Sequence, residues 1–254
     1  YGIILITGPT GSGKSTTLYS MLNELDKEAK NIVSLEDPVE YNISGINQSQ
    51  VRPEIGSTFA TGLRTTLRQD PDIIMVGEIR DAETAQLAIQ AALTGHLVFS
   101  TLHTNTAIGA IPRLVEMGID PYLIAPTLIL SVAQRLVKKI CKDGAKEVPN
   151  DGAIKVMIEK QFEDLPQEFK KKLNLSRPLY EPVPTSECSS GTHGRIAVLE
   201  VFEVDKGIER IILADPTEIS LWDAARKKGM ISMKEDAILK SMNKIVPFQE
   251  INTL

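Results

Sequence analysis

Cysteine is almost missing from this chain of 254 residues, where Cys141 and Cys188 are the only two. Two thiols make no disulfide framework, so a fold has to come from a buried core. Aromatic side chains are scarce as well, at 5%, with a single tryptophan. That scarcity and a formal charge of −5 argue against a stacking platform or a basic groove for nucleic acid. The same charge makes the molecule as a whole a poor binder of anionic lipid. No apolar run approaches the length that spans a bilayer, and no signal-peptide pattern is present. Internal repeats and low-complexity tracts are absent too. The remainder is ordinary: 42% hydrophobic and 24% charged residues, enough for one large core or two smaller ones. The chain opens on Tyr1 rather than Met, directly before an apolar run, and is expected to be part of a longer protein.

What is present is concentrated near that start. The run Ile3-Ile4-Leu5-Ile6 leads into Gly8-Pro9-Thr10-Gly11-Ser12-Gly13-Lys14-Ser15-Thr16, a phosphate-binding pattern that carries meaning only between a buried strand and a helix. Gly8, Gly11 and Gly13 allow the tight turn that brings backbone N–H groups to phosphate oxygens. Lys14 is a flexible point charge for the β- and γ-phosphates, and the Ser15 hydroxyl is a Mg²⁺ ligand. A helix starting near Lys14 aims its positive dipole end at the same anion. The residues from Gly8 to Thr16 therefore predict binding of a nucleoside triphosphate.

The first half alternates strand and helix, the signature of an α/β domain with a mainly parallel sheet. Strands are predicted over 2–7, 31–35, 72–77 and 97–102, and helices over 14–26, 57–69, 82–94 and 107–117. Residues 121–137 read as a further helix with a break near Pro126. From 142 to 194 charges and prolines are frequent and apolar positions scattered, so that mobility is expected there, with short amphipathic helices at 151–162 and 166–173. A strand over 195–204 and helices at 206–213, 216–228 and 232–243 complete the chain. The expected division is 1–140 as the nucleotide core, 141–194 as an inserted subdomain and 195–254 as a strand followed by helices.

A hydrolase built on such a loop needs a carboxylate on the metal side, a group that orients the attacking water, and positive charge for the transition state. Glu78 ends the run Ile73-Ile74-Met75-Val76-Gly77, at the strand end where α/β sheets bind ligands. Its bland alternative is a turn acid, a role that suits Asp81, placed as cap of the next helix. Asp72 starts the same strand and would lie at its far end. Glu36, Asp37 and Glu40 form a second acidic cluster after the strand 31–35. Three carboxylates beside a triphosphate repel unless a metal or a water-activating role offsets the cost. Glu40, on a Pro-stiffened turn, is the water-orienting candidate, against a solvated acidic loop. His103 closes the strand 97–102 on the ligand side and is a γ-phosphate sensor or a structural residue; His96, at the opposite end, is structural. Arg64, Arg68 and Arg80 surround the acidic segment and are open to two uses, pairing with Glu78 or reaching phosphate.

With these blocks in order the chain resembles the secretion ATPase superfamily, and more narrowly the assembly ATPases of type IV pilus and type II secretion systems. The carrying segments are the Walker A loop Gly8–Thr16, the Asp box Leu35–Tyr41, the Walker B segment Asp70–Asp81 and the His box Thr94–Thr104, joined by wording over 58–69. The resemblance implies a RecA-like P-loop core followed by a smaller, mostly helical region. It also implies Mg²⁺-dependent ATP hydrolysis, a homohexameric ring, and cytoplasmic docking on an inner-membrane platform protein. Neither nucleic-acid binding nor membrane insertion is expected. Glu40 aligns with the glutamate held to activate water and Glu78 with the Walker B glutamate. Lys14 and His103 join them as expected catalytic residues, and Arg80 joins the loop in nucleotide binding. Arginines from a neighbouring subunit or an N-terminal domain complete the site in that family, so this chain alone is expected to hydrolyse ATP slowly or not at all.

Segments 134–141 and 194–200 resemble the borders of a metal-binding subdomain found in the assembly enzymes and lacking in the retraction enzymes. Family members hold zinc there with two C-x-x-C pairs. In this chain Gly144 and Thr185 stand where the partners of Cys141 and Cys188 would be, so no zinc site is expected, with the two remaining cysteines still near each other. Two other readings are a nucleotide-gated scaffold without turnover and a nucleic-acid motor on the same core. The full set of acids opposes the first, the charge and the few aromatics the second.

Overall fold

Buried β-branched and leucine side chains in the run Gly2–Thr7 form β1, an interior strand of the sheet. In the computed structural model, which describes residues 1–254, the elements then follow in alternation. They are α1 (Lys14–Asn23), β2 (Ile32–Glu36), β3 (Asn47–Gln50), α2 (Phe59–Thr66), β4 (Ile73–Val76), α3 (Ala82–Leu93) and β5 (Leu97–Leu102). After them come α4 (Ala110–Glu116), α5 (Pro121–Ile124), β6 (Leu128–Ile140), β7 (Ala145–Val148), α6 (Gly152–Gln161) and α7 (Gln167–Leu173). The chain closes with β8 (Leu179–Pro182), β9 (Thr192–Glu203), α8 (Lys206–Ala214), α9 (Glu218–Lys227) and α10 (Met233–Met242).

Seven strands form one sheet in the order β3-β2-β4-β5-β1-β6-β9, and β7 with β8 forms a separate antiparallel pair. β1 is parallel to β5 and β6, β4 is parallel to β2 and β5, and β2 is parallel to β3. The α/β class and the mainly parallel sheet are thus as expected. The carboxyl ends of β1, β2, β4 and β5 lie on the same edge, so the loops after them converge. Local chemistry sets the helix starts. Asp81 caps α3 by accepting from the Thr84 N–H at 2.8 Å, and Thr58 and Thr61 form a reciprocal cap on α2.

One expectation fails outright. The predicted helix over 121–137 is only the short α5 followed by the strand β6. Pro126 stops the helix, and Thr127 Oγ1 satisfies the Leu123 carbonyl at 2.6 Å. The apolar run beyond it is consistent with either element by periodicity alone, and pairing on the free flank of β1 decides for strand. That pairing slips once, between Ile3 and Ile4. The strand β3, Asn-Gln-Ser-Gln, was not anticipated. It is a polar edge strand held by its ladder with β2.

The chain separates into two compact units, residues 1–133 with 202–224, and residues 134–201 with 225–254. The second has its own core, in which Val137, Leu179 and Val198 meet Ile158, Phe162 and Leu165 together with Ile238, Met242 and Ile251. Segment 142–194, expected to be mobile for its thin apolar content, supplies four of these residues from elements that come together only in space.

Cys141 and Cys188, expected near each other, are joined as a disulfide across 47 residues of sequence. Backbone bonds surround the link, from Gly144 to the Cys141 carbonyl at 3.2 Å and reciprocally between Thr185 and Cys188 at 3.0 and 3.2 Å. A Cβ on Gly144 would come within 2.4 Å of the Val183 carbonyl oxygen, so a cysteine there would require the backbone to move. Closing a loop of this length restricts the unfolded chain and typically contributes about 2–4 kcal/mol. Cys141→Ser with Cys188→Ser is therefore expected to destabilise the second unit by about that amount. Denaturant unfolding of wild type and variant, each with and without reductant, reads it. Reductant should lower the wild-type midpoint and leave the variant unchanged.

Candidate functional site

The loop between β1 and α1 turns on glycines. Gly11 has φ +78° and Gly13 φ +86°, both in the left-handed region that strains other residues. Gly13 in that conformation delivers the chain into α1 at Lys14. The Lys14 ammonium donates to the carbonyls of Gly8 and Pro9 at 2.9 and 3.0 Å. Its partial burial lowers the lysine pKa, while the nearby Glu78 carboxylate pulls it up. Ser15 and Thr16 are exposed in the first turn of α1, and that turn carries no acid to neutralise the helix dipole. Backbone N–H groups, a lysine and a dipole end thus face one point, an arrangement that suits a phosphate.

The second half of the site comes from β4 and β5. Gly77 N–H donates to the Leu35 carbonyl at 2.7 Å, and Thr101 Oγ1 to the Gly77 carbonyl at 2.7 Å. Ile79 N–H is bound to the Thr101 carbonyl at 2.9 Å. Bound on both sides, the turn fixes Glu78, whose side chain is 15% exposed. Arg80 Nη2 meets Glu78 Oε1 at 2.5 Å and His103 Nε2 lies 3.4 Å from Oε2. Asp37 stands 3.8 Å from Arg80 Nη1. Arg80 is held above its ordinary pKa chiefly by the hydrogen bond to Glu78. Lys14, Glu78, Arg80, His103 and Asp37 therefore share one field at the carboxyl edge of the sheet.

Other candidates are elsewhere. Arg64 pairs with Glu83, not with Glu78. Asp72 sits at the far end of β4, as its position at the strand start implied. The Asn31 N–H at 2.9 Å and Lys30 at 3.0 Å hold its pKa down. His96 Nδ1 lies 2.8 Å from the Ala91 carbonyl, at the end of β5 away from the phosphate loop.

The acidic cluster divides in two. Glu36 is 3% exposed and points into the fold, where Oε1 accepts from Ser34 Oγ at 2.6 Å and Gln48 Nε2 at 3.0 Å. Its Oε2 accepts from the Tyr19 hydroxyl. Glu40 is exposed, and its backbone N–H donates to the same hydroxyl at 3.2 Å. Tyr19 and Gln48 were not anticipated. The one signal in sequence is a hydroxyl on the apolar face of α1, between Leu18 and Leu22.

A magnesium ion fits the donor chemistry. Ser15 offers a hydroxyl and Glu78 a carboxylate, the hard oxygen ligands this ion selects. The two thiols are bonded to each other.

The family described as Type II/IV secretion system protein matches residues 1–253. The type IV pilus assembly ATPase PilB of Thermus thermophilus is 46% identical over 258 residues, covering 99% of this chain and 27% of that protein. The type II secretion system ATPase E of Vibrio cholerae is 45% identical over 252 residues, covering 99% of this chain and 48% of its own length. Among solved structures, the pilus retraction motor PilT with bound ADP aligns with 98% of this chain and 60% of its own, at TM-score 0.69 and 30% identity. The chain spans half or less of the length of these two curated relatives.

Proposed function

This chain belongs to the type II/IV secretion system protein family, and we propose that it is the ATP-hydrolysing part of a motor for pilus assembly or protein secretion. The observation that carries the reading is the convergence of Lys14 with the Glu78–Arg80–His103 cluster at one edge of the sheet. A loop that only held nucleotide would not need a buffered carboxylate beside its lysine.

In the proposed reaction the residues from Gly8 to Thr16 wrap the phosphates, and Lys14 leaves the carbonyls of Gly8 and Pro9 to neutralise the β- and γ-oxygens. Ser15 and Glu78 would hold Mg²⁺, directly or through water, and the ion would supply charge neutralisation between the phosphates. Glu40 orients a water for in-line attack on the γ-phosphate and takes its proton. Arg80 is the cationic partner of Glu78 and is free to turn to the phosphate as charge builds there, and His103, 3.4 Å from the same carboxylate, reads the γ-position. We propose further that six copies form a ring that docks on an inner-membrane platform protein from the cytoplasm. No helix of the chain is long and apolar enough to cross a membrane.

ATP turnover and nucleotide binding by the full-length protein, beside Lys14→Ala, test the reading. Loss of one phosphate-contacting charge is expected to weaken ATP binding at least about tenfold and turnover more than about 100-fold. Lys14→Ala with unchanged turnover would sink it. Tight ATP binding with no turnover in the wild type would favour the scaffold instead, and hydrolysis that rises on adding DNA would favour a nucleic-acid motor.

A further inference from the structure

Helix α1 carries the phosphate loop at its start and Tyr19 one and a half turns further along. The Tyr19 ring is 1% exposed, yet its hydroxyl reaches across to the segment that follows β2. There it serves two groups at once. It donates to Glu36 Oε2 and accepts from the Glu40 N–H at 3.2 Å. The Tyr41 ring stands edge-on against Tyr19, with centroids 4.6 Å apart and an interplanar angle of 87°.

The direction of these bonds is set by chemistry. The Glu40 N–H can only donate, so the phenol oxygen accepts there and its proton points at Glu36. Glu36 is itself immobilised by Ser34 at 2.6 Å and Gln48 at 3.0 Å, and its backbone carbonyl accepts from the Val51 N–H at 2.9 Å. Gln48 braces the same loop further on, accepting from the Ile43 N–H at 2.6 Å and donating to the Tyr41 carbonyl at 3.2 Å. The loop bearing Glu40 is thus hung from one buried carboxylate, and Tyr19 is the strut that connects it to the phosphate-loop helix.

We propose that Tyr19 is a positioning residue that sets the backbone of Glu40 relative to the phosphate loop, acting through its hydroxyl rather than through its ring. The proposal rests on the reading of Glu40 as the water-orienting group. Burial, with the Glu36 hydrogen bond behind it, pushes the phenol pKa up to about 12, so the strut keeps its proton at any working pH. The phenol touches neither phosphate nor water in this role. It moves no proton, and its loss should change how fast a bound nucleotide reacts, not how well it binds.

The test is Tyr19→Phe in the full-length protein, which keeps the ring, its burial and the Tyr41 contact while removing the hydroxyl. Expected is a fall in kcat of about tenfold or more, with KM for ATP and nucleotide affinity within about threefold. The shape of the pH profile should stay as in the wild type. The combination with Glu40→Gln separates positioning from general damage. In that background Tyr19→Phe should cost little more, because the group it positions is already inactive. Glu36→Gln, which keeps the shape but puts an amide donor in place of one of the two carboxylate oxygens that Tyr19, Ser34 and Gln48 share, should act in the same direction as Tyr19→Phe and is the second variant should the first fail to fold. A normal kcat in Tyr19→Phe, or an equal loss with and without Glu40→Gln, overturns the proposal while leaving Glu40 in its role. A normal kcat in Glu40→Gln overturns the underlying reading instead, and the proposal with it.

Discussion

Glu78→Gln in the full-length protein is expected to lower kcat about 100-fold or more while ATP binding stays within a few-fold. Glutamine fits the same turn, since the bonds that fix it run through the Gly77 N–H and carbonyl and the Ile79 N–H, not through the carboxylate. What changes is charge. Arg80 loses its closest anionic partner, and of the two carboxylate oxygens that Arg80 and His103 approach only one acceptor is left. The site also loses the carboxylate proposed to hold magnesium. Lys14 is affected through space. Its burial lowers the lysine pKa and the Glu78 carboxylate offsets part of that, so with glutamine the pKa falls further. A lysine with a lower pKa loses its proton at lower pH. Any alkaline limb of the turnover profile that belongs to Lys14 should therefore move toward neutrality in Glu78→Gln and stay put in Glu40→Gln. Steady-state rates across pH 6–10 for the three proteins measure this. Full turnover in both glutamate variants would remove the mechanism proposed above.

How much of this was legible beforehand follows from the range of each interaction. The phosphate loop, the Asp81 cap and the end of β4 are set by residues within a few positions of one another, and their spacing alone carries them. The use of Arg80 is not of this kind, since the sequence leaves it open between Glu78 and phosphate, and the turn places it on Glu78. Tyr19 is the opposite case to the phosphate loop. Nothing near it in sequence says that its hydroxyl reaches the end of β2, so it reads as an ordinary core tyrosine until Glu36 is placed against it. Glu36 was grouped with Glu40 for being close in sequence, whereas strand alternation and burial send it into the fold. β6 reads as helix in the sequence because apolar periodicity does not separate a buried strand from a buried helix, and only the open flank of β1 decides. The disulfide and the second core share one cause. Cys141 with Cys188, and Phe162 with Ile238, meet through topology, which a list of scattered apolar residues does not reveal.

Arg226→Ala is expected to cost the second unit about 3–5 kcal/mol, the range for removing one partner of a buried ion pair. Arg226 is 3% exposed and uses its guanidinium on three sides. It meets Glu235 through Nη1 at 2.8 Å and Nη2 at 2.5 Å, Asp164 through Nε at 2.8 Å, and the Met230 carbonyl at 2.7 Å. Burial works against its charge, but the hydrogen bonds to Glu235 and Asp164 outweigh it and raise the pKa. The partner has no other route to solvent. Glu235 is 0% exposed, and besides the guanidinium it has the Ser232 N–H at 2.8 Å. Burial already pushes the Glu235 carboxyl above its ordinary value, against the pull of Arg226. Without the guanidinium the shift grows, which fixes the sign of the pH response. A carboxyl whose folded pKa is raised leaves the protein most stable below its unfolded pKa, and stability falls as pH rises through the folded value. The deficit of Arg226→Ala relative to wild type should therefore be large at neutral pH and shrink toward pH 4–5 as Glu235 takes up a proton. Arg226→Met with Glu235→Leu discriminates further. Replacing both charges by apolar groups of similar size leaves no buried ion, so the double variant should recover most of the loss. Denaturant unfolding of the three proteins at neutral and acid pH decides it, and a double variant as unstable as Arg226→Ala would mean that packing around the guanidinium stem, not the buried charge, was at stake.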